Sequence, residues 1–167
     1  QSTTPLGHIR AVIESQRKTR GIATARQAIE LASRRSASPL ESSTRLVAIT
    51  MAGFVGLLEN VPIFDLDGQL AGVADLLDPV AGVVVETDGS HHRDAETHTS
   101  DNRREESLER TGLFVARVTG HDHRDRPALA ARLAAGRRHA LRTSTPAEWT
   151  IEKPSWWSSW EPGRRWD

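Results

Sequence analysis

Seven carboxylates, Glu59, Asp65, Asp67, Asp75, Asp78, Glu86 and Asp88, lie between Leu46 and His92 without one lysine or arginine among them. Asp75 stands near the end of one β-type run, and Glu86 and Asp88 end the next, eleven and thirteen positions later. If the two runs pair antiparallel through Asp78-Pro79, Asp75 lands roughly opposite the Glu86 end. Side-chain alternation then points Glu86 and Asp88 to one face and Val85 and Thr87 to the other. Carboxylates gathered without a basic neighbour repel one another, and their burial is tolerable mainly where a cation neutralises them. Magnesium, with manganese as its substitute, suits such a site because it takes hard oxygen ligands. The expected metal ligands are therefore Asp75, Glu86 and Asp88. Asp78 and Asp88 also read as plain turn residues.

Gly89-Ser90-His91-His92 follows directly, so imidazoles sit one short loop from the acids. An ordinary histidine pKa near 6.5 lets His92 accept or donate a proton at neutral pH. Zinc is a competing use, with His98, His121 and His123 also at hand, but their spacing is irregular and cysteine is absent. Further on, Asp101, Arg104 and Leu108 share a helical stripe, so Asp101 can face inward to orient a histidine or support a metal, or can pair with Arg104 on a solvated turn. Glu41 also has two readings. In Ser38-Pro39-Leu40-Glu41 it is the glutamate of a capping box, and four residues before Arg45 it lies on a helix face that can lean over the acidic site.

These residues need elements to place them. Apolar residues at helical spacing predict two amphipathic helices, Gly7 to about Arg20 and Thr24 to Arg35, with basic outer faces. Ser38, Pro39 and Glu41 start a third, running to about Ala52. After Gly53 the period becomes β-type. Val61–Phe64 and Leu70–Leu77 flank Asp65-Leu66-Asp67-Gly68, a hairpin signal, and the β-branched run 82–87 reads as a central strand. A polar helix over Asp94–Arg110, a fourth strand over Leu113–Val118 and an alanine-rich helix over Pro127–Leu141 complete an α/β sandwich with a mixed sheet of about four strands, preceded by two extra helices. The expected divisions are a helical segment 1–37, a domain 38–142 and a tail 143–167. All five tryptophans lie in Trp149–Asp167, where they either pack back onto the domain or stack on a partner.

At 167 residues, 37% hydrophobic and 26% charged, the chain has the composition of a globular domain. No apolar run approaches the roughly 18–20 residues of a membrane span. The absence of cysteine and of a leader pattern makes the cytoplasm the expected address. Gln1 at the start and Met51 as the one methionine suggest a piece of a longer polypeptide, which leaves room for a further domain upstream. Net charge is zero, yet residues 1–45 carry eight Lys/Arg against three Asp/Glu, and 117–167 ten against six. An acidic centre between basic ends suits a cation in the middle and a polyanion outside. The same pattern arises if strands simply hold fewer long cationic side chains. Arginine outnumbers lysine twenty to two, which suits bidentate phosphate contact.

In order, the string Val-Ala-Asp75, Val-Val-Val-Glu86-Thr-Asp88-Gly89-Ser-His-His92, Asp101-x-x-Arg104-x-x-x-Leu108-x-x-x-Gly112, then Leu-Phe-Val-Ala-Arg117-Val-Thr resembles the nucleases related to the very-short-patch-repair endonuclease, within the PD-(D/E)XK restriction-endonuclease-like superfamily. Ser-Pro-Leu-Glu41-Ser-Ser-Thr-Arg45 fits the helix upstream. The resemblance covers about Ser38 to Leu141. It implies a magnesium-dependent endonuclease acting on DNA, with Asp75 as central ligand, Glu86 as ligand directly or through water, Asp88 and His92 in the proton-transfer and metal shell, Asp101 orienting them and Glu41 completing the site. It implies phosphate contacts from Arg45, His91, Arg93 and Arg104, and a homodimer if both strands are cut. One departure stands out: Asp88 occupies the position of the superfamily's lysine, two beyond the glutamate, so His92 or a second metal must replace that lysine. The other reading is a catalytically inactive nucleic-acid- or protein-binding module with a relict nuclease fold.

Overall fold

The computed structural model describes residues 5–89, 106–143 and 146–157. The chain divides into two units between Arg34 and Arg35. In the first, helices α1 (Leu6–Ser15) and α2 (Ile22–Glu30) are joined by a polar loop. α1 stops well short of Arg20, because Gln16–Arg20 offers no apolar side chain to bury and the Arg26 guanidinium donates to the Gln16 carbonyl at 2.8 Å, holding the loop. An ion pair between Arg10 and Glu30 ties the two helices together. Ile29 alone of their described residues is buried.

The second unit is a layered α/β structure. Helix α3 (Pro39–Thr50) is followed by strands β1 (Leu58–Asp65), β2 (Leu70–Asp78) and β3 (Val83–Asp88). Residues 106–110 are helical. Strand β4 (Phe114–Thr119), a 3-10 turn (Asp122–Arg124), helix α4 (Arg126–Thr143) and strand β5 (Trp149–Thr150) complete it. The sheet order is β4-β3-β2-β1-β5, with β3 and β4 parallel and the other neighbours antiparallel. The expected four strands are thus five, the fifth coming from the tryptophan-rich tail. A two-residue strand has no period to read, and only its partner Phe64–Asp65 defines it.

Local chemistry explains the elements. Ser38 caps α3 by accepting from the Glu41 N–H at 3.1 Å, with Pro39 at the first helical position. At the β1–β2 hairpin Gly68 takes φ 78° while Asp65 closes the turn, accepting from the Gly68 N–H through its carbonyl and from the Gln69 N–H through Oδ1. β3, rich in valine, is apolar on both faces because both are covered. On one face Val83 and Val85 pack with Phe54, Leu76, Val47 of α3 and Leu129 and Leu133 of α4. On the other, Val84 and Leu77 pack with Ile63, Leu108 and Leu113. The tail's tryptophans return to the domain as far as they are described. Trp149 joins the second cluster, and Trp156 and Trp157 meet the Phe64 ring edge-on at 5.9 and 5.2 Å. Trp160 and Trp166 lie outside the described residues.

Candidate functional site

The β1–β2 ladder pairs Glu59 with Leu76 and Val61 with Ala74, and skips the level between them. That level holds Asn60 on β1 and Asp75 on β2. Asn60 has φ 48°, the one positive φ outside glycine among the described residues. The kink interrupts alternation, so Leu58 and Val61, three apart, pack on the same apolar cluster, while Glu59 and Asn60 both turn toward α3. Glu59 pairs with Arg45 at 2.8 Å. Asn60 Nδ2 donates to Glu41 Oε2 at 2.9 Å and to the Arg35 carbonyl at 2.6 Å.

The β2–β3 ladder ends at Leu76 and Val85. One residue further, the same register sets Asp75 across from Glu86. Here the backbone pairing gives way to a side chain: Asp75 Oδ2 accepts from the Thr87 N–H at 2.8 Å and from its hydroxyl at 2.7 Å. Three neighbouring strands thus carry Asn60, Asp75 and Glu86 at one level. By alternation Thr87 shares the face of Val85, toward α3, and Glu86 and Asp88 share the face of Val84. Glu86 Oε1 and Asp88 Oδ1 are shielded from solvent. On β4 the register partner of Glu86 is Arg117.

Glu41 is buried, with 5% of its surface exposed. Its Oε2 also accepts from the Ala37 N–H at 2.8 Å. The capping box therefore closes one residue earlier than the motif suggests, on the amide before Ser38, and Asn60 adds a second donor. Arg45, expected at phosphate, is largely enclosed beside Glu59, 16% exposed in its side chain, so a carboxylate already balances its charge. His91, His92, Arg93, Asp101 and Arg104 lie outside the described residues.

The donors Asp75, Glu86 and Asp88 offer carboxylate oxygen, which in kind fits a hard divalent ion such as magnesium. Among the described residues, no three of the histidine, aspartate and glutamate side chains gather as a metal-holding group.

Asp78 serves structure, as its turn reading implies. Fully buried, it accepts from the Val80 and Ala81 N–H groups at 3.0 and 3.1 Å and from Arg137 Nε at 2.6 Å. Arg137 in turn lies over the Phe54 ring.

The roles of four residues of this region escape a reading by spacing, although Glu59 stands among the acids, Thr87 in the alternation and His123 among the zinc candidates: Asn60, Thr87, Glu59 and His123. The signals were an asparagine inside the apolar run Leu58–Phe64 and a threonine between two acids. His123 sits with Nδ1 3.2 Å from Ser43 Oγ and Nε2 2.9 Å from Thr44 Oγ1. Burial first, then the Arg126 charge, lowers its pKa below the usual 6.5, against the opposing pull of Asp122. Asp122 is lowered too: burial raises it, but the Thr119 N–H and hydroxyl and Arg132 outweigh burial. Set against family models, curated proteins and solved structures, the chain finds no match in any of the three.

Proposed function

We propose that the chain is a divalent-metal-dependent phosphodiesterase acting on DNA, an endonuclease with a restriction-endonuclease-like sheet. The observation that carries this reading is the polar level across β1, β2 and β3, where Asn60 anchors Glu41 and Thr87 anchors Asp75 beside the Glu86–Asp88 strand end. A sheet interior bears such groups at a cost, and the order of acids along the chain is the one the very-short-patch-repair-like resemblance requires. Asp75 and Glu86 would hold the ion, with Asp88 at its edge. When bound, that ion supplies positive charge against the phosphate and acidifies a water. Thr87 fixes the orientation of Asp75 through two hydrogen bonds. Glu41 adds a fixed negative charge at the N-terminus of α3, and His92 is the proton carrier.

Supercoiled plasmid with Mg²⁺ or Mn²⁺ tests the reading. Purified protein should nick it, EDTA should stop the reaction, and Asp75→Asn, which keeps an acceptor for Thr87 but drops the charge, should slow it by on the order of a hundredfold with an unchanged melting temperature. Undiminished nicking by Asp75→Asn overturns the assignment. A second reading, a DNA-binding module without hydrolysis, is favoured by Asp88 in the lysine position. Metal-independent DNA binding with no nicking in the same assay selects it.

A further inference from the structure

Asn60 breaks two local rules at once. Asparagine is a poor strand former, and a positive φ inside a strand costs free energy even for asparagine, which tolerates it best among residues with a side chain. Such departures persist where the surroundings enforce them, and they cluster at sites. What the kink achieves is visible in the hydrogen bonds. A regular strand would send residue 60 to the face opposite Glu59; with φ 48° both turn to α3. The buried amide spends its two N–H groups on the Arg35 carbonyl and on Glu41 Oε2. Ala37 N–H meets the same Oε2, so every hydrogen bond that Glu41 accepts among the described residues falls on one of its two oxygens. The ladder meanwhile puts Asn60 across from Asp75.

We infer that Asn60 is a positioning residue: it pins Glu41 Oε2 at the level of Asp75, so that the second oxygen of Glu41 is presented to the divalent cation. The inference rests on the reading under Proposed function. An asparagine that served only through its turn geometry and its hydrogen bonds to Arg35 and Glu41 would leave Mn²⁺ affinity unmoved when replaced by glycine, which keeps the geometry without an amide.

The test uses the full chain with Mn²⁺ as probe, its binding followed by electron paramagnetic resonance without DNA and by plasmid nicking with it. Asn60→Gly keeps the backbone and removes the donors; it should fold with a melting temperature lowered by the loss of two hydrogen bonds, and Mn²⁺ binding is compared below that temperature. Mn²⁺ affinity should fall about tenfold, as it does when a residue that orients a ligand is lost, and nicking should fall with it. Glu41→Gln should weaken Mn²⁺ similarly, and the double variant should be no weaker than the worse single one. Asn60→Asp, which keeps the shape and sets a carboxylate against Glu41, should be worse than Asn60→Gly. Parental Mn²⁺ affinity in Asn60→Gly, or losses that multiply in the double variant, would overturn the inference while leaving the nuclease reading intact. A parent protein that neither binds Mn²⁺ nor nicks DNA would remove both, and that outcome is separate from the others.

Discussion

His123 shows how much one imidazole can tie together. Its ring lies between two hydroxyls of α3, Ser43 and Thr44, while its backbone belongs to the turn before α4. Because its pKa lies below 6.5 in the folded chain, the unfolded chain binds the proton first as pH drops. Stability should therefore be full above about pH 6.5 and fall as pH descends from there toward the folded value. Asp122 acts in a lower window, losing its contribution as pH drops from the ordinary 3.8 through its folded value. Thermal melts between pH 7.5 and 5 should show a steeper decline for the parent than for His123→Gln; equal slopes would contradict this origin. Neither His123 nor Asn60 was legible beforehand. A histidine's worth depends on two hydroxyls 79 and 80 residues away, and no local spacing encodes that distance. Glu41 and Asp78, whose partners lie partly within four residues, were legible in their capping and turn roles.

At the scale of elements, strong periodicity and strong punctuation found their counterparts. Ser38-Pro39 opens α3, the β-branched run is β3, and the Asp-Gly hairpin joins β1 to β2. The misses follow one rule: segments whose boundaries are set by tertiary partners are invisible locally. α1 is shorter than its pattern, and β5 exists through two pairs with β1. β1 begins at Leu58, before the predicted Val61, because Glu59 and Asn60, unpromising as strand residues, are held there by α3. α4 offers a test of packing against propensity. Gly136 lies inside it, where alanine is ordinarily better by about 1 kcal/mol. A Cβ there would meet Phe114 Cε1 at 2.8 Å and Cζ at 3.3 Å, and Phe114 already packs edge-on with His139. Overpacking costs about 1–3 kcal/mol, so Gly136→Ala should be net destabilising by up to about 2 kcal/mol in urea unfolding. A stabilised variant would mean that the ring moves freely.

For the molecule as a whole, the α/β class and the placing of helices over both sheet faces were legible, since buried strands and striped helices admit few arrangements. The level at which the candidate site gathers was legible only in part. Counting from a shared turn put Asp75 across from Glu86, which the register matches, but neither the positive φ at Asn60 nor the Asp75–Thr87 contact could be counted from that turn. A break in alternation is a property of paired strands, and one strand's composition does not announce it. The tail, readable either as a partner's platform or as packing, is packing through Trp157.

β5 pairs with β1 only at Phe64 and Asp65, which leaves most of β1 without a neighbour on that side among the described residues. Within that open stretch stands Pro62, aligned with Val73 on the inner side. A ring nitrogen has no hydrogen to offer an arriving chain, so proline is admitted at a sheet margin and hinders further growth there. Pro62→Val would restore a continuous docking line flanked by Val61 and Ile63. Heated samples of that variant should scatter light at lower temperature and protein concentration than the parent. That result would show the ring at position 62 keeping copies of the chain apart, a colloidal service independent of any chemistry the acids perform.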